Sequence, residues 1–127
     1  MKVAWSGLLA FAALLLSGCT PSLEEVSRVR SPDGLLDAAI FVRQTDATVP
    51  TPTEIYVLPA GGAPSGDPVW RADKVSGMKV SWTSASTVQM EATAARVFLS
   101  RDSAEVVPAG GSDKRRVAVA YRIERSL

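Results

Sequence analysis

The sequence predicts an all-β protein, a small antiparallel sheet or sandwich of about six to eight short strands after an N-terminal signal helix. Three observations predict it. Apolar residues recur at every second position, as in Leu36, Ala38, Ile40 and Val42, and again in Val117, Val119, Tyr121 and Ile123. That period returns side chains to the same face of a strand. Turn-forming clusters separate the runs, Ser31-Pro32-Asp33-Gly34 and Pro108-Ala109-Gly110-Gly111 among them. No long stretch combines helical spacing with capping residues.

The N-terminal element comes first. Met1-Lys2 carries one positive charge, and residues 3–16 carry none, with Leu8, Leu9, Phe11, Leu14, Leu15 and Leu16 as the apolar load. An uncharged run of about 14 residues fits the core of an export signal and falls short of the roughly 20 that a spanning helix needs. Ser17 and Gly18 are small, as a peptidase requires before the bond it cuts, and Cys19 follows as the sole cysteine of the chain. The segment Leu16-Ser17-Gly18-Cys19 resembles the lipobox of bacterial lipoproteins. The resemblance implies cleavage between Gly18 and Cys19, acylation of the Cys19 thiol, and a lipid bilayer as the partner that holds the mature N-terminus. Two or more acyl chains give stable anchoring where one binds marginally. Thr20, in place of the Asp that favours inner-membrane retention in enterobacterial lipoproteins, points to an outer-membrane anchor facing the periplasm.

The chain therefore divides into a signal peptide (residues 1–18), a lipidated tether (19–25) and a single β domain (26–127). Residues 20–25, with Pro21, Ser22, Glu24 and Glu25, read as a leash that spaces the domain from the bilayer. Residues 26–30 form a first strand with imperfect alternation. After the Pro32-Asp33-Gly34 turn, residues 36–42 make a half-buried strand; Phe41 and Leu35 on its other face imply cover on both sides near its ends. Residues 44–53 are a loop, broken by Asp46, Pro50 and Pro52. Residues 54–59 are a β-prone run, closed by Ala60-Gly61-Gly62, and residues 63–68 are a second loop. Residues 69–75 read either as an edge strand or as an irregular crossing, with Asp73 and Lys74 keeping an edge soluble. Residues 78–92 form a hairpin turning at 83–87. Residues 94–100 form a further strand, residues 101–107 are ambiguous, and one short helix has room at 92–96 or 103–107. Residues 117–124 form the last and cleanest strand.

Ser31-Pro32-Asp33-Gly34 with the strand 36–42, then Ile55-Tyr56-Val57-Leu58-Pro59-Ala60-Gly61-Gly62, resembles one unit of the TolB-type propeller repeat, and Trp82-Thr83-Ser84 with Val88 and Met90 resembles the start of a second. The likeness covers about half of the mature chain. It implies strand-turn-strand units and a protein-binding surface; a closed propeller needs at least about four blades, more than this length supplies.

Composition limits the chemistry. Removing the signal leaves about 109 residues, enough for one domain with a real core. Outside Lys2 the chain has 13 basic and 13 acidic residues, which argues against a nucleic-acid partner. Lys114-Arg115-Arg116 reads as a solvated turn flank. There is no histidine, so the commonest general base and metal ligand are missing. With Cys19 acylated there is no thiolate, and no cofactor or metal is expected. No Gly-x-Ser-x-Gly elbow, phosphate loop or paired-carboxylate motif stands out. The expectation is a non-enzymatic envelope lipoprotein that binds another envelope protein. Core packing is the favoured reading of Trp70 and Trp82, with Tyr56, Phe41 and Tyr121; the sharper reading sets Trp70 on an exposed face beside Arg71, the two forming a partner-binding pair. Open sheet edges leave a homodimer open. The alternative is a binder or sensor of a small apolar ligand in a β-cup lined by Trp82, Met90 and Tyr121.

Overall fold

The computed structural model of the chain describes residues 22–44 and 51–127. The signal segment, Gly18, Cys19, the tether up to residue 21 and part of the loop at 44–53 lie outside the described residues. Among the described residues eight strands follow in chain order: β1 (Leu23–Arg30), β2 (Leu36–Arg43), β3 (Thr53–Pro59), β4 (Trp70–Ser76), β5 (Lys79–Ser84), β6 (Thr87–Ser100), β7 (Ser103–Val106) and β8 (Arg115–Ser126). They form one open sheet in the order β1-β2-β3-β4-β6-β8-β7, with β5 paired to β6. The all-β class read from the sequence is the class observed.

Several boundaries move, each for a physical reason. β1 begins at Leu23, so Leu23, Glu24 and Glu25, expected in the tether, pair with Arg43, Val42 and Phe41. A register shift between Glu25 and Ser27 breaks the alternation that would have marked them as strand. β4 is an interior strand between β3 and β6 rather than an edge. Residues 92–96 and 103–106, where a helix had room, are extended. Ala92, Ala94 and Ala95 pair with β8 on one side, and Ala94 and Arg96 pair with β4 on the other; this pairing overrides the helical preference of alanine.

β6 runs 14 residues without interruption, joining what the sequence divides into a hairpin arm and a separate strand. Its first half pairs with β5 and its second half with β4, end to end along one edge, while β8 lies along the other. The β6–β8 pair is parallel, unlike the other pairs. A parallel return needs a crossover of about a dozen residues, and residues 101–114, with β7 inside them, provide it. Residue alternation carries no strand direction, so this exception to the expected antiparallel sheet could not be read from it.

The sheet wraps so that β1 comes against β5 and β3 against β7. The main core lies inside that wrap: Leu36, Ala38, Ile40, Ile55, Val57 and Trp70 from one layer meet Val80, Val88, Met90, Ala92, Val117 and Val119 from the other. Burial of each larger aliphatic side chain contributes on the order of 1.5–3 kcal/mol. β2 and β3 are buried on both faces. Their second face packs Ala39, Phe41, Tyr56 and Leu58 together, with Leu23 against them, and Phe41 meets Tyr56 edge to face at 5.6 Å. The cover expected near Phe41 is present; Leu35 is exposed.

Candidate functional site

The outward face of β1–β4 carries the densest polar arrangement described here. In the antiparallel register Arg28 and Arg30 sit opposite Ala39 and Asp37, and Glu54 sits between Phe41 and Arg71. Directly opposed residues share a face, so this one holds Asp37, Ala39, Phe41, Glu54, Tyr56, Leu58, Arg71 and Asp73. Three of these are carboxylates, and all three are buried: Asp37 and Glu54 are 0% exposed and Asp73 is 4% exposed. A buried carboxylate is costly unless it is paired and hydrogen-bonded.

Each is paired. Asp37 accepts from Arg28 Nη1 at 3.0 Å, from Arg30 Nε at 3.2 Å and from the Gly61 backbone N–H at 2.8 Å. Burial opposes its ionisation, but the Gly61 amide and the two guanidinium groups outweigh it and hold the carboxyl below its ordinary value. Glu54 accepts from Arg43 at 3.0 Å and Arg71 at 2.7 Å, with the Tyr56 hydroxyl 3.4 Å away. Burial pushes the Tyr56 phenol up, and the Glu54 charge beside it adds to the push. Asp73 accepts from Arg96 Nε at 2.8 Å, and that hydrogen-bonded guanidinium holds it below the usual carboxylate range. Arg96 in turn lies 5.3 Å over the ring of Phe98, which is 57% exposed.

The guanidinium groups close the carboxylates inward and remain partly in solvent. The side chains of Arg43, Arg71 and Arg96 are 37%, 40% and 43% exposed, and that of Arg30 is 59% exposed. An acid catalyst near neutral pH needs a carboxyl raised toward the working pH; Asp37 and Asp73 move the other way. Among the described residues no group of three or more His, Cys, Asp or Glu side chains is arranged to hold a metal ion.

The residues singled out from sequence fall as follows. Arg71 is part of this face. Trp70 is not: its side chain is fully buried in the main core, 0% exposed, and its Nε1 has no hydrogen-bond partner among the described residues. Successive residues of a strand point to opposite faces, and the main core covers the Trp70 side, so Trp70 is buried while Arg71 stays partly exposed. Trp82 is the more accessible indole, half-buried, and donates from Nε1 to the Val29 carbonyl at 2.8 Å. Met90 is fully buried. The Tyr121 hydroxyl lies 2.7 Å from the Arg101 carbonyl and 3.0 Å from that of Val69. These three side chains belong to or pack against the main core, and the surface hollow between β5, β6 and β8 is lined instead by Gly77, Lys79, Glu91, Thr93, Arg122 and Glu124.

Sequence reasoning missed Asp37, Glu54 and Asp73 as anchors and Arg43, Arg96 and Phe98 as their fringe. Asp73 was expected to keep an edge soluble, and it is buried under Arg96 because β4 is interior. The available signal was a carboxylate near the start of an otherwise apolar strand, as at Asp37, where a buried charge demands a cation on the neighbouring strand. No protein-family model, curated protein or solved structure matches the chain.

Proposed function

We propose that this chain is a membrane-anchored envelope lipoprotein, non-enzymatic, held to the bilayer through acylated Cys19, whose β domain binds another envelope protein through the arginine-fringed face formed by β2–β4 and the end of β6. The anchor rests on Leu16-Ser17-Gly18-Cys19 at the end of an uncharged run, and Thr20 favours the outer membrane. The observation that carries the binding reading is the set of guanidinium groups fixed from beneath. Arg43, Arg71 and Arg96 are held by buried carboxylates while about two fifths of each side chain stays in solvent, beside an exposed Phe98. Arginine and aromatic side chains dominate the energetics of protein interfaces, and side chains already held in place lose less freedom on binding. The lowered carboxyls of Asp33, Asp37 and Asp73 favour a binding role over acid catalysis by these groups.

The test has two arms in the native envelope. Wild-type protein pellets with membranes and Cys19→Ala is recovered in the soluble periplasm; a Cys19→Ala protein that still pellets contradicts the anchor. A photo-crosslinking amino acid at position 98 gives a discrete protein adduct that the same probe at position 114 does not, and Arg71→Glu abolishes it. An adduct indifferent to Arg71→Glu removes this face from consideration.

A further inference from the structure

β8 has a strand on both sides at Ala118 only. β7 covers Arg115, Arg116, Val117 and Ala118. Beyond that point β6 continues along one side, and among the described residues no strand lies along the other. The Val119 N–H turns to the β7 side, where it donates to the Asp102 carbonyl at 2.8 Å. Backbone groups of alternate residues point to the same edge, so the N–H and C=O groups of Tyr121 and Ile123 face that side, where no strand pairs with them among the described residues. Such an edge is a template for another strand. Its side chains are charged rather than broken by proline: Arg122 and Glu124 are exposed and line the same outward hollow, while Tyr121 and Ile123 face the core.

We infer that β8 of one copy pairs antiparallel with β8 of a second copy, about a two-fold axis at Ile123. Charge complementarity selects both the partner and the register. In that register Arg122 lies opposite Glu124 of the second copy, and Glu124 lies opposite its Arg122. Across the outward face Lys79, Glu91 and Arg122 already stand side by side on β5, β6 and β8; Glu124 of the second copy continues the row with the next opposite sign. Opposite charges directly across a strand pair stabilise it and like charges oppose it. The neighbouring two-fold registers, centred on Arg122 and on Glu124, set two arginines or two glutamates against each other; the one centred on Tyr121 sets Glu124 against Ala118, which β7 already occupies, and leaves Arg122 facing Ala120. An isologous contact closes at two copies, which leaves neither β8 edge open for further growth. This inference concerns a different surface from the arginine-fringed face and does not depend on the tether.

Sedimentation of the full chain in detergent tests it. Wild type dimerises. Arg122→Glu alone and Glu124→Arg alone each place like charges across the pair and weaken dimerisation about tenfold or more. An equimolar mixture of the two recovers it, because glutamates at 122 and 124 then meet arginines at 124 and 122. The doubly exchanged chain, Arg122→Glu with Glu124→Arg, also dimerises as wild type does, which guards against misfolding of either single variant. A wild-type chain that stays monomeric at its highest soluble concentration overturns the proposal, including the case in which this edge takes a strand of some other protein. So does a dimer whose strength the single exchanges leave unchanged, or a doubly exchanged chain that stays monomeric.

Discussion

Asp33 binds three partners with one carboxylate. It accepts from the Ser31 hydroxyl at 2.6 Å, from the Leu35 backbone N–H at 3.2 Å and from Arg115 at 2.6 Å. The first two close the Pro-Asp-Gly turn locally, as the residue types lead one to expect. The third joins that turn to the start of β8, 82 positions away in sequence. Together, with the Ser31 hydroxyl foremost, they lower the carboxyl to about 2 from an ordinary 3.8. A carboxyl lowered in the folded state stabilises the fold above its unfolded value, and that stability is lost as pH falls through the folded one. Stability conferred by Asp33 is therefore present above about pH 4 and declines toward pH 2. Urea midpoints at several pH values across that window should fall steeply for wild type and less steeply for Asp33→Asn; equal slopes would remove Asp33 from the account. The turn role of Asp33 was legible because it is made of adjacent residues. The ion pair to Arg115 was not, because nothing local in Lys114-Arg115-Arg116 says which of the three turns inward.

At the scale of elements, the bend between β4 and β5 depends on Gly77. Its φ of +63° lies in the left-handed region, and a Cβ there would come 2.1 Å from Thr93 Oγ1 on β6. Gly61 also has positive φ, +75°, but faces open space. The pair separates two costs. Gly61→Ala carries the backbone penalty alone, about 1 kcal/mol. Gly77→Ala adds displacement of a neighbouring strand, about 2–4 kcal/mol in all, read as the difference in urea midpoints. Equal losses would mean that Gly77 is needed for its dihedral angle and not for the close approach. The glycine was legible as a break between two strands. That β4 and β5 then share one edge of a single long β6 was not, because it depends on a strand that comes later in the chain.

At the scale of the molecule, closure of the wrapped sheet runs through contacts between distant segments. Trp82 on β5 holds the Val29 carbonyl of β1 across 53 positions, and the Tyr121 hydroxyl sits between the carbonyls of Val69 and Arg101. Non-local pairings of this kind close slowly, so folding is expected on the millisecond-to-second scale. Trp82→Phe keeps an aromatic ring and loses the donor to Val29. It should cost about 1 kcal/mol and raise amide exchange most in β1, the edge strand that the indole holds. Exchange that rises uniformly over all strands would show that the bond contributes only to global stability.

Residue types and their order were enough to determine the class of this protein. Alternation with period two can be satisfied only by strands with two unlike faces, and proline and glycine mark where those strands must stop. Tertiary structure alone decided which face is which. Trp70 and Arg71 are equally good candidates for exposure as neighbours in a chain, and only the arrival of the second layer over the Trp70 side buries one and leaves the other beside Glu54. The same holds for the three buried carboxylates and for the parallel course of β8. A pairing partner and a strand direction are properties of two segments brought together, and the pattern within either segment does not contain them.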